Sequence, residues 1–283
     1  MDEGEDILKR YIGFSEKYMD RSRDPSTDFY GYCNGKWMDE NSIPEDKSRY
    51  GAFDMLYEKN MYILKSILEN AEKNPKNDIE KQLGIFYRSA MDTGTIEKIK
   101  FTPIEDLMHR ISQLTPDNIP EIFAELTMKS VQILFDVGSA EDAKNADIYS
   151  LYIGQDGLSL PDRDYYLNEQ MKPILEAYKK HISNMFALYG YDGSRAQKVA
   201  ETVVAIETEL ARYSRSKTDL RDVEKAYNKF PARELYNKYP ELGLERYLSF
   251  IGASNLEYAI VDAPEFFKST DEMLKNRPVE DIA

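Results

Sequence analysis

Apolar residues recurring at three- and four-residue intervals constrain this chain more than any other feature. Such a stripe lies along one side of an α-helix and can be buried only if the segment is helical. Thr102-Pro103-Ile104-Glu105 reads as a capping box with proline at the first helical position, and Ile104, Leu107, Met108 and Ile111 follow on one face. Thr115-Pro116 repeats the start signal ahead of Ile119 to Met128. Ile174, Tyr178, His181, Met185 and Leu188 form another stripe, which Gly190 terminates. Val199, Val203, Ile206 and Leu210 form a further one, and Phe53, Leu56, Ile63 and Ile67 predict a long helix beginning near Arg49. Strand signals are confined to residues 131–137 and 148–154, which are rich in β-branched and aromatic side chains. The polar residues 138–146 between them read as a turn, which makes the two runs an antiparallel pair. Residues 73–78 and 157–164 read as loops, and no repeat, low-complexity tract or linker divides the chain. The expected fold is mainly α: a multi-helix region over residues 1–283 with one small antiparallel β-hairpin.

A chain of 283 residues, 42% of them hydrophobic, is long enough for a substantial core. Its 12% aromatic content argues against disorder. The formal net charge of −14 makes phosphate backbones and anionic lipids poor partners, so neither nucleic acid nor a membrane surface is expected. No apolar run approaches the ~20 residues that span a bilayer. The acidic Met1-Asp2-Glu3-Gly4-Glu5-Asp6 start lacks the pattern of a secretory signal, and the expected location is cytoplasmic.

A complete catalytic centre is not readable from the residue pattern. The sequence has two histidines, His109 and His181. A zincin helix needs His-Glu-x-x-His, because residues four apart turn both imidazoles toward one metal. His109 precedes Arg-Ile-Ser-Gln and His181 precedes Ile-Ser-Asn-Met, so neither fits and no metal ligand is expected. His181 falls on an apolar face and reads as a half-buried packing residue; His109 reads as exposed. Gly13-Phe14-Ser15-Glu16 lacks the second glycine of a nucleophile elbow. Residues 31–36 are one position short of a phosphate-binding loop, and Trp37 stands where such a loop needs a hydroxyl. The single cysteine, Cys33, reads as a small packing residue without a disulfide partner. The cluster with more chemical content is Arg49, Phe53, Asp54 and Tyr57. In a helix starting there, Arg49, Phe53 and Tyr57 share one side, Arg49 offers a bidentate fork to a carboxylate and Asp54 can orient it. A structural ion pair accounts for the same spacing.

Several blocks, taken together, carry a resemblance. They are Asp24-Pro25-Ser26-Thr27-Asp28-Phe29-Tyr30 running into Tyr32, Gly35 and Trp37; Ser48-Arg49-Tyr50-Gly51-Ala52-Phe53-Asp54; Phe86-Tyr87-Arg88-Ser89; Gly157-Leu158-Ser159-Leu160-Pro161-Asp162-Arg163-Asp164-Tyr165-Tyr166; Ile206-Glu207-Thr208-Glu209-Leu210-Ala211; and Leu220-Arg221-Asp222 before Tyr227-Asn228. In that order they resemble the N-terminal part of the neprilysin-like zinc metallopeptidases, the M13 family, which includes the PepO-type bacterial oligoendopeptidases. The resemblance implies a helical, non-catalytic lobe that encloses short peptide substrates over a thermolysin-like catalytic lobe. It implies zinc-dependent peptide hydrolysis by the whole enzyme, with the metal-activated water and its general-base Glu supplied by that other lobe. Nothing here matches the family's His-Glu-x-x-His helix, downstream Glu ligand or late histidine, so this chain alone is expected to bind no zinc and to be inactive. Its expected partners are short peptides and the missing C-terminal catalytic domain. By the same resemblance Arg49 would bind a substrate carboxylate or backbone carbonyl, Phe53 would line the pocket after the scissile bond, and Asp54 would hold Arg49. Tyr57 stands where neprilysin has a second arginine, which implies weaker carboxylate anchoring. Ser26 and Asn34 stand at cysteine positions of extracellular members, with Cys33 beside one of them. The alternative expectation is a naturally short, catalytically inactive protein that binds peptides or a partner chain; the reading frame beyond Ala283 separates the two.

Overall fold

Helix caps and glycines set the local geometry of residues 1–100, which form one of two compact units. The computed structural model describes Leu8, Gly13, residues 15–44, Lys47 and residues 49–283. The acidic start, Phe14 of the elbow-like run, and Ser48 lie outside the described residues. Helix α1 (Phe29–Glu40) is capped by Asp28, whose carboxylate accepts the Gly31 N–H at 2.8 Å. Arg23 donates to Asp20 at 3.0 Å and to Asp28 at 2.8 Å, and its side chain lies against the helix. Bare helix positions make room for it. A Cβ on Gly31 would stand 2.2 Å from the Asp28 carboxylate, and one on Gly35 2.7 Å from Asp20. Glycine at positions 31 and 35 leaves room for the Asp20, Arg23 and Asp28 side chains that pack against the helix.

Helix α2 (Ala52–Lys73) and helix α3 (Asp78–Met91) follow, joined by the loop the sequence predicts. Asn77 caps α3 by accepting the Glu80 N–H at 2.9 Å. The two helices meet where Gly84 faces the backbone of Ala71; a Cβ there would stand 2.5 Å from the Ala71 carbonyl oxygen. Helix α4 (Thr93–Ile99), capped by Asp92, completes this unit.

Residues 101–283 form the second unit, built around a mixed sheet. Helix α5 (Glu105–Ile111) is preceded by a 3₁₀ turn, Thr102–Ile104. Thr102 does not cap it: Phe101 occupies the cap position of the turn, with no side-chain hydrogen bond. The Thr115 signal does hold, because Thr115 and Asn118 close a reciprocal capping box just ahead of helix α6 (Ile119–Met128). Strands β1 (Phe135–Asp142) and β2 (Asn145–Gln155) pair antiparallel with a register shift at Glu141/Asp142. The predicted hairpin is present, and its strands run through much of the polar stretch read as turn.

Next come α7 (Asp164–Leu167), α8 (Lys172–Tyr189) and α9 (Gly193–Tyr213). Gly190 ends α8 with φ of 116°, a left-handed conformation that favours glycine. The buried face of α8 is rotated from the predicted stripe. Ile182 is buried, whereas His181, Ile174, Met185 and Leu188 are exposed, so His181 is not the half-buried packing residue expected. The chain continues through α10 (Val223–Ala226), β3 (Asn228–Pro231), α11 (Ala232–Lys238), α12 (Leu244–Phe250), β4 (Tyr258–Val261), α13 (Pro264–Asn276) and α14 (Val279–Ile282). Strand β4 runs parallel to β2 and antiparallel to β3, giving the order β1-β2-β4-β3. The core sits where α6, α11, α12 and α13 supply Phe123, Leu235, Leu248, Phe266 and Phe267 against Phe135, Ile153 and Val261 of the sheet. Phe135 packs its ring against Tyr247 at 5.0 Å and Phe267 at 6.0 Å.

Candidate functional site

The four residues singled out in sequence lie at the start of α2, and the local fold decides how they are presented. The helix begins at Ala52, three positions after Arg49, and Gly51 caps it in an extended conformation. Arg49 is therefore off the helix, in the segment leading to it, and it is exposed. Phe53 and Tyr57 lie one turn apart on α2 and are 87% and 66% exposed, so their rings face outward rather than into the unit. Asp54 is half-buried in the first turn, where the helix dipole favours a carboxylate. It turns back toward the cap: its Oδ2 stands 3.7 Å from where a Cβ on Gly51 would be. Among the described residues no ion pair joins Arg49 to Asp54. The structure thus gathers Arg49, Phe53 and Tyr57 on one exposed stretch, and leaves Asp54 to the helix terminus.

The neighbours of Arg49 are held by groups the sequence pattern did not single out. Tyr50 donates its hydroxyl to Glu58 at 2.8 Å, and Lys47 pairs with the other oxygen of Glu58. The Tyr50 ring stacks on Trp37 of α1, with centroids 6.4 Å apart and planes 22° from parallel, and Lys47 lies 4.9 Å from the Tyr50 centroid. Tyr50 and Met55 also border a cleft of about 470 Å³ whose other walls are Tyr18, Glu40, Asn41, Ser42 and Pro44. Glu58 lies two turns inside α2, and acidic residues are so common here that spacing alone gave no signal.

A second constellation gathers the later sequence blocks. Glu207, 6% exposed on α9, accepts hydrogen bonds from Ser159 at 2.6 Å, Tyr166 at 3.0 Å and Tyr178 at 3.0 Å. Tyr166 in turn accepts the Leu160 N–H at 2.9 Å. Burial, with Glu207 alongside, pushes the Tyr178 phenol up to about 12 and raises that of Tyr166 further. Both hydroxyls therefore stay protonated as donors at neutral pH. With three donors on it, Glu207 ties the 157–166 loop to α8 and α9 in one hydrogen-bond network.

His109 and His181 are exposed on separate helices, α5 and α8, and His109 Nε2 lies 3.1 Å from the Gln113 amide. Among the described residues no group of three or more His, Cys, Asp or Glu side chains is placed to hold a metal ion. The described residues do not fit a zinc centre. No helix among them is long and apolar enough to cross a membrane.

The fold is that of a helical lobe with a small mixed sheet, and the blocks that structure this lobe are those of a peptidase family. Residues 25–283 match the N-terminal model of peptidase family M13, and the chain belongs to that family. It is similar to an endothelin-converting enzyme homolog of Locusta migratoria, 29% identical over 91% of this chain and 38% of that protein. It is likewise similar to Neprilysin-3 of Drosophila melanogaster, 30% identical over 94% of this chain and 36% of that protein. Among solved structures, the zinc metalloprotease Zmp1 of Mycobacterium tuberculosis in complex with an inhibitor superposes with a TM-score of 0.85 at 25% identity, covering 95% of this chain and 42% of Zmp1. The chain therefore spans well under half the length of each of these relatives.

Proposed function

We propose that this chain is the N-terminal, substrate-enclosing region of a zinc-dependent metalloendopeptidase that hydrolyses short peptides. Zinc and the residues that activate water belong, on this reading, to a catalytic domain outside the 283 residues, and the chain alone is inactive. The observation that carries it is the outward presentation of Arg49, Phe53 and Tyr57 at the start of α2. An exposed arginine just before a helix that carries two exposed aromatic rings suits an extended peptide: Arg49 takes a carboxylate or carbonyl oxygen, and Phe53 and Tyr57 cover apolar side chains. The M13 membership supports the substrate class. The acidic composition supports the exclusion of nucleic acid and membrane surfaces as partners, and its cytoplasmic location is part of the same proposal.

The test is Arg49→Ala in the protein that joins this region to its catalytic domain. A charge-assisted hydrogen bond contributes roughly 1.5–3 kcal/mol, so KM for a short peptide should rise about tenfold or more. An unaltered KM removes Arg49 from substrate binding. The chain by itself should cleave no peptide, and tight one-to-one zinc in an elemental assay of it would overturn the division of labour.

A further inference from the structure

We infer that Glu58 and Tyr50 are positioning residues that aim Arg49, the part that the resemblance implies for Asp54; this rests on the reading of Arg49 as a peptide ligand. Arg49 stands in the chain between Lys47 and Tyr50, and both of these side chains end on the carboxylate of Glu58. Glu58 lies two turns inside α2, so the carboxylate holds the incoming segment back along the side of the helix. The Tyr50 ring is sandwiched into the same assembly, stacked on Trp37 and close to the Lys47 ammonium. Lys47, Tyr50 and Glu58 are half-buried, whereas Arg49 is exposed. A segment fixed on both sides of a residue, with that residue left outside, has its direction set before any ligand arrives. That arrangement lowers the ordering cost of binding, which otherwise falls on a long, rotamer-rich arginine. Asp54 does not do this: it sits in the first turn of the helix, and no ion pair joins it to Arg49 among the described residues.

The clamp and the ligand are separable by a double-mutant cycle in the protein joined to its catalytic domain. Tyr50→Phe deletes one hydroxyl and keeps the ring on Trp37; Glu58→Gln keeps the shape and deletes the charge. Each should raise KM for a short peptide about three- to tenfold, more than it lowers kcat. In an Arg49→Ala background each should then have no further effect on KM, because a positioning residue has nothing left to position. Equal effects in both backgrounds, or no effect with Arg49 present, would overturn the inference while leaving Arg49 itself a ligand. If Arg49→Ala alone leaves KM unmoved, the reading of Arg49 fails and this inference fails with it. Trp37 is the one tryptophan of the 283 residues, so its emission in this chain by itself, unchanged in Tyr50→Phe and Glu58→Gln, verifies that the variants keep the local fold. A shifted emission maximum marks a collapsed clamp; the inference then stands or falls on Lys47→Gln, carried through the same cycle.

Discussion

Large apolar side chains are treated in opposite ways by the two units. In residues 101–283, Phe266, Phe267, Leu235 and Leu248 are fully buried and interlock with the sheet. In residues 1–100, the buried apolar residues among those described are Met55 and Ala71, while Phe53, Phe86 and Ile79 stand 72% or more exposed. The sequence stripes look alike in the two units, since α2 and α3 are as periodic as α8 and α9. What differs is supply: the second unit has a sheet and helices that close over a central core, although Leu188 and Met128 remain exposed, and the first has a helix pair whose outer faces find nothing within the unit. Exposed apolar surface rimmed by charge marks an interface with other polypeptide. That agrees with a region that the proposed function places against a catalytic domain.

The largest expected effect tests this contrast directly. Phe267→Ala should cost about 3–5 kcal/mol, because the cavity left among packed rings cannot collapse. Phe86→Ala removes as many atoms from an exposed face and should stay within about 0.5 kcal/mol in this chain. Urea unfolding of the two variants decides it. Comparable losses would mean that Phe86 is packed in solution and that the contrast is wrong.

Next in size is Gly84→Ala, the one substitution that should make residues 1–100 behave like a core. Alanine normally gains about 1 kcal/mol over glycine inside a helix. Here its Cβ would stand 2.5 Å from a backbone carbonyl oxygen, which cannot swing aside as a side-chain end can. Overpacking should prevail, at about 1–3 kcal/mol. Hydrogen exchange should show faster amides in α2 and α3 and unchanged ones in α13. Slower exchange in α2 would show that the helices separate without penalty.

What could be read in the sequence follows the same division between local and non-local causes. Thr115 and Gly190 act through their own backbone neighbourhood, and the ends they mark fall where predicted. Thr102 failed because Phe101 and a 3₁₀ turn took the cap position, a choice made by the preceding chain. Strands β3 and β4 are four residues each and exist because β2 is there to pair with β4, so no run of alternation announced them. The α8 stripe was displaced by about one residue because periodicity fixes the width of an apolar face but not which edge a partner helix covers. At the candidate site, residue spacing and the resemblance singled out Arg49, Phe53, Asp54 and Tyr57, whose roles belong to the proposal. The clamp from Glu58 stayed hidden because it joins a helix to the segment before it across eight residues.

The smallest effect turns on acidity and sharpens the contrast from the other side. Burial raises Asp262, in the second unit, from 3.8 to about 6, although Gln155 donates its N–H to both carboxylate oxygens and Arg215 lies close by. Between those two values the folded chain holds this proton more firmly than the unfolded chain does. The contribution to stability is therefore fully present below about pH 4 and is lost as pH rises through about 6. Asp20 and Asp28 of the first unit run the other way, as do Asp142 and Asp192 of the second. Hydrogen bonds from Ser22 and then Arg23 lower Asp20, and those from the Gly31 N–H and then Arg23 lower Asp28. Their contributions are present above the ordinary carboxylate range and are lost as pH falls through their depressed values. Asp262→Asn keeps an acceptor for Gln155 without the charge, so it should stabilise the second unit modestly at pH 7 and lose that advantage near pH 4. Urea midpoints at the two pH values measure it. Identical behaviour of the variant and the parent chain throughout would mean that water reaches Asp262, and that the second unit's interior is less closed at this end of the sheet than at Phe267.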